Sequence, residues 1–226
     1  MTRTRGATAG RLAAWLALVG VLAALAYAST YVPESDRPDP STFFYRWDTF
    51  AGGLVQDGLL LGVLLLIVHG GPARVLLALR RPRSWPRAAG LMLVVFVGIW
   101  ILGVALDPFL HAGEEQGLVP DKWRPEEAAP FTANLAFTMF AVPVVEELIF
   151  RGAGFSLLAA RYGKGVAIVG TAVLFGAVHG LLIALPVLVA FGLGLAWLRS
   201  RTDSVYPGMI LHGLFNGVAV LVGVAV

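Results

Sequence analysis

Apolar residues run along this chain in long blocks separated by short polar punctuation. Seven blocks can be read: Leu12–Thr30, Phe50–His69, Ala88–Leu106, Phe131–Gly152 with a helical extension to Ala160, Val166–Gly180, Leu182–Leu198 and Val205–Val224. Most approach the roughly 20 residues a helix needs to cross a hydrocarbon core, and the fifth is short. The pattern predicts an all-α, polytopic membrane helical bundle of about seven transmembrane helices. No internal repeat of the transporter kind is visible.

The connections carry the charge. The segment "GPARVLLALRRPRSWPRAAG" is basic and partly apolar, which suits a short helix at an anionic membrane interface over 70–87, or else an ordinary cytoplasmic loop. The connection 107–130 is long and holds six acids from Asp107 to Glu127, so it reads as a solvated external loop or a lid. Arg3, Arg5, Arg11, Arg74, Arg80, Arg81, Arg83, Arg87, Arg161, Lys164, Arg199 and Arg201 fall on one side of the alternating spans. Only Arg37, Arg46, Lys122 and Arg124 fall on the other, Arg151 being left aside within the fourth block. That bias predicts a cytoplasmic N-terminus and, with seven spans, an external C-terminus. The N-terminus also has the basic, apolar and small-residue regions of a signal peptide, so residues 1–28 are a retained first span or a cleaved leader.

Composition narrows the class. Of 226 residues 58% are apolar and 14% charged, with a mean hydropathy of +0.78, which excludes an ordinary soluble domain. The expected setting is integral and multi-pass, with the bilayer as a partner and no nucleic acid. There is no cysteine, and so no thiolate nucleophile or disulfide.

Against this background "VPVVEELIFRG", Val142–Gly152, is anomalous: it places three charges in an apolar helix, each costing at least about 2.5–3.5 kcal/mol at bilayer depth. Residues four apart share a helix face, so Glu147 and Arg151 can neutralise one another. Glu146 points about 100° away and has no partner on its own helix. An unpartnered carboxyl in apolar surroundings is a candidate general base or acid. Three other polar groups have depths that bring them near it. Counting residues from the turn near Tyr162–Gly163 puts His179 level with Glu146, and counting from Arg201–Asp203 brings Asn216 close to that level with His212 about one turn lower. Asp57 beside Gln56 reads as a packing contact, a shallow position or part of a pathway. Pro143 is expected to kink the fourth helix.

The motifs "EELIFR" (Glu146–Arg151), "FGAVH" (Phe175–His179) and "HGLFN" (His212–Asn216) resemble the EExxxR, FxxxH and HxxxN motifs of the CPBP intramembrane proteases, which include the type II CAAX prenyl endopeptidases. The resemblance covers roughly Phe131 to the end. It implies a three-span N-terminal region over 1–130 and a four-span catalytic core over 131–226. It also implies an endopeptidase acting on a protein or peptide substrate in the plasma membrane of a prokaryote, in which Glu146 and His179 activate water, His212 and Asn216 stabilise the oxyanion, and Glu147, Arg151 and Phe175 support the site. The expected chemistry is metal-independent with no cofactor, since no HExxH places two ligands and a base on one helix and asparagine is a poor ligand. Two alternatives stay open: a zinc site of Glu146, His179 and His212, and a non-proteolytic immunity or scaffold protein of the same family.

Overall fold

The computed structural model describes residues 2–33, 39–110 and 122–225. Its described helices are α1 (Thr2–Ser29), α2 (Trp47–Val68), α3 (Ala73–Leu76), α4 (Trp85–Leu110), α5 (Ala128–Phe140), α6 (Val142–Glu147), α7 (Phe155–Tyr162), α8 (Lys164–Ala177), α9 (Leu185–Thr202) and α10 (Tyr206–Ala225), with a π-helix over Leu148–Gly154. All seven apolar blocks are thus helical, and among the described residues five helical stretches are by themselves long and apolar enough to cross a membrane. The other two blocks are α8, only 14 residues long, and α9, which carries Arg199 and Arg201 in its last turn. They pack against each other in the bundle.

The fourth block is one helical path from Pro125 to Tyr162, 38 residues long, with two interruptions. The first lies at Ala141, where α6 begins with Pro143 near its start. Proline has no N–H to donate back to Met139, so the ladder breaks there. The interruption falls where the kink at Pro143 is expected. The second interruption is the π-helix, whose wider turns change the usual carbonyl pairing. Side chains from elsewhere serve the carbonyls of this stretch: Trp15 Nε1 donates to Ile149 O at 2.9 Å and Arg199 Nε to Arg151 O at 3.1 Å. Trp15 is completely buried, which ties α1 into the core.

One end of the bundle is cross-linked by polar contacts. Arg11 donates to His69 O at 3.1 Å, joining the start of α1 to the end of α2. Arg80 donates to Asp203 O and Oδ1, both at 2.6 Å, and Val205 N donates to Ala78 O at 3.3 Å. The basic 70–87 segment therefore contains a single-turn helix and is docked onto the α9–α10 turn, with Leu77 and Ala78 buried. Arg199, which the sequence places in a cytoplasmic loop, is buried at the end of α9 and pairs with Asp203 at 3.0 Å. Of the acidic connection, 111–121 lies outside the described residues.

Candidate active site

Glu146 and Glu147 are the last two residues of α6, and the helical twist sends them to different neighbours. Glu147 is fully buried, and its Oε1 accepts from Arg151 Nη1 at 2.9 Å. Arg151, also fully buried, donates through Nη2 to Gly192 O at 3.0 Å and lies over the Phe175 ring, 4.4 Å from its centroid. A carboxylate, a carbonyl and an aromatic face together hold this cation away from water. The fit leaves no spare room: a Cβ at position 208 would collide with Glu147 Oε2, so Gly208 is what lets α10 pass.

Glu146 keeps a quarter of its side chain exposed and lines a cavity of about 530 Å³. Its Oε2 lies 3.5 Å from His212 Nε2, while His212 Nδ1 lies 3.4 Å from Glu147 Oε1. A single imidazole therefore bridges the two glutamates. Its faces are packed edge-on by Phe191 and Phe175, with ring centroids 5.2 and 5.7 Å away.

His179 lines the same cavity from just beyond α8, in a turn closed by Gly180 at φ +69°, where a Cβ is disfavoured. The helix stops at Ala177, short of the Gly180 expected. His179 Nδ1 sits 2.7 Å from Phe175 O. A carbonyl only accepts, so Nδ1 carries the hydrogen and Nε2 keeps a lone pair. Asn216 completes the group on α10, its Nδ2 donating to Thr138 O at 3.3 Å beside the break at Ala141. Glu146, His179, His212 and Asn216, predicted from three separate motifs, all line one cavity.

Two details differ from the sequence reading. His212 does not lie a turn below Glu146 but touches it, and Asn216 reaches the backbone of Thr138, higher on the fourth block. The depth count assumes a uniform α-helical rise. Seven residues in wide π turns climb less, which lowers Glu146 towards His212. The imidazole in contact with Glu146 is therefore His212, although His179 is the expected partner. The second detail concerns α2: Gln56 lines the cavity, and Asp57 is buried with Oδ2 unpartnered, within electrostatic reach of Glu146.

His179 Nδ1 is held by a carbonyl, and His212 has its two nitrogens beside two carboxylates.

Residues 128–218 match the family model described as type II CAAX prenyl endopeptidase Rce1-like. The match runs from α5 into α10 and takes in all three motifs. Over these residues, less than half of the chain, the protein is similar to a protease family, in line with the resemblance carried by the motifs, and its helices of spanning length mark an integral membrane protein. No curated protein and no solved structure matches the chain.

Several residues that shape this site escaped the sequence reading. Phe191 packs His212, Gly192 supplies the carbonyl for Arg151, and Gly208 admits Glu147. They belong to no motif and act through backbone or shape. Asn134 is different: it is a lone amide in an apolar block, buried, with Nδ2 within 3.1 Å of Phe44 O, Arg46 O and Pro130 O. Its isolation among apolar neighbours is a signal the sequence does carry.

Proposed function

We infer that this chain is an intramembrane endopeptidase in which Glu146 and His179 activate a water molecule. The observation that carries the reading is the meeting of Glu146, His179, His212 and Asn216 at one cavity. Glu146 is the carboxylate with an exposed edge, and His179 has its Nε2 lone pair uncommitted. Together they accept the proton of a water whose oxygen attacks the scissile carbonyl carbon. The oxyanion formed is stabilised by the Asn216 amide and by His212, held in place by both glutamates. Collapse of the tetrahedral species breaks the C–N bond, and the proton taken from water passes to the leaving amine.

Glu146→Gln keeps the shape and removes the base. Processing of substrate proteins in cells is expected to fall by about 10²–10⁴-fold at an unchanged protein level. Unaltered processing would sink the peptidase reading and favour a scaffold.

The reaction we propose is metal-independent, supported by the two nitrogens of His212, which lie beside two glutamates. Elemental analysis of active, detergent-purified protein is expected to find no stoichiometric zinc. About one zinc per chain, lost in His179→Ala and in His212→Ala, would refute this.

In the membrane we propose an N-terminus on the cytoplasmic side, supported by the basic residues at the end where α1 begins.

A further inference from the structure

The cavity has a direction along the bundle. The basic end is the one where Arg11 meets His69, where Arg80 holds Asp203, and where Lys164 begins α8. Glu146 lies near the middle of its helical path and His212 and Phe215 in the first half of α10; the other lining residues come from the halves away from that end. Thr49 and Gly53 come from the first two turns of α2, whose last turn lies at the basic end. Leu188 comes from the first turn of α9, and Ala219 and Val220 from the last turns of α10. His179 follows the end of α8. Phe43 and Phe44 line its far part from a short 3-10 helix, Pro40–Tyr45, which Asn134 holds by its carbonyls. From Glu146 the space therefore runs away from the basic end.

Its chemistry is equally one-sided. Six phenyl rings line it, those of Phe43, Phe44, Phe137, Phe175, Phe191 and Phe215, and the titratable lining residues are Glu146, His179 and His212, all within the reacting group. Among the described residues no charged side chain of the lining is left over to pair a charged residue of a substrate, and burying such a charge unpaired costs several kcal/mol. Basic ends face the cytoplasm. We propose that the site is served from the non-cytoplasmic face of the membrane and takes an uncharged, apolar stretch of peptide presented there. Cleavage of that stretch rests on the peptidase reading; the side of access does not.

The chain has no cysteine, so a single substitution creates a unique thiol. In the full chain, Asp48→Cys and Thr49→Cys report the mouth of the cavity and Arg83→Cys the exposed basic connection. A membrane-impermeant maleimide added to intact cells is expected to label the two α2 variants, and to label Arg83→Cys only in inverted membrane vesicles. Labelling of Arg83→Cys in intact cells, or of the α2 variants in inverted vesicles alone, overturns the assignment of sides. In parallel, newly formed protein termini are compared by mass spectrometry between cells expressing wild type and Glu146→Gln. Termini that depend on Glu146 are expected within uncharged apolar stretches at the non-cytoplasmic ends of membrane segments. Termini at cytoplasmic ends or between charged residues overturn the proposal. Absence of any such terminus strikes the peptidase reading instead, with the side of access decided by the labelling.

Discussion

Two adjacent glutamates with the same side chain hold different positions, and the difference is set by one residue's worth of helical twist. Glu147 faces inward, where Arg151 neutralises it and Gly208 makes room; Glu146 faces the cavity. Removing one partner of a buried pair leaves the other uncompensated, at a cost of about 3–5 kcal/mol. Glu147→Gln strands Arg151 in this way and is expected to lower the melting temperature in detergent sharply, together with the amount of protein in the membrane. Glu146→Gln is expected to melt as wild type does. Equal melting of the two variants would contradict the separation of a supporting from a reacting carboxylate.

At the scale of elements, the path from α5 to α7 is built around its irregularities. Beside the break at Ala141, Thr138 O accepts from Asn216, and the π-helix offers Ile149 O and Arg151 O to Trp15 and Arg199. Each irregularity thus anchors a different helix to the motif-bearing segment. Trp15→Phe keeps most of the ring and loses only the donor. Leaving the buried Ile149 carbonyl without it is expected to cost about 1–3 kcal/mol, read as a lower melting temperature. An unchanged melting temperature would mean that the carbonyl finds another donor within the π turn.

At the scale of the whole molecule, the basic end is clamped by Asp203, which accepts from both Arg80 and Arg199. Partial burial, the largest single influence, pushes its carboxyl up, but the hydrogen bonds and charges of Arg199 and Arg80 together hold it below its ordinary value of 3.8. A carboxyl depressed on folding stabilises the folded state above its unfolded value and loses that contribution as pH falls through the folded one. Asp203 lies at φ +54°, which asparagine tolerates, so Asp203→Asn removes the charge with little backbone cost. The variant is expected to melt below wild type by a constant margin from neutrality down to about pH 5, and the margin is expected to shrink below about pH 4. A margin that persists in acid would trace the effect to shape instead of charge.

The sequence by itself determined that this is a membrane helical bundle, because apolar blocks of spanning length have no other stable arrangement in lipid, where every backbone polar group must be paired. It also determined the pairing of Glu147 with Arg151, since four-residue spacing places both on one face whatever surrounds the helix. Glu146, His179, His212 and Asn216 were legible as a group because polar groups at bilayer depth are rare enough to stand out. Which imidazole touches Glu146 was decided by tertiary structure. A π-helix shifts register by an amount no residue count from a turn can supply, and packing of α10 against α6 then brings His212, not His179, into contact. The roles of Phe191, Gly192 and Gly208 were likewise decided in three dimensions, because a ring edge, a carbonyl and a missing side chain leave no pattern in the chain. The direction of the cavity belongs to the same class: Glu146 lies near the middle of its own helical block, and only the halves of five packed helices, taken together, say which end it faces.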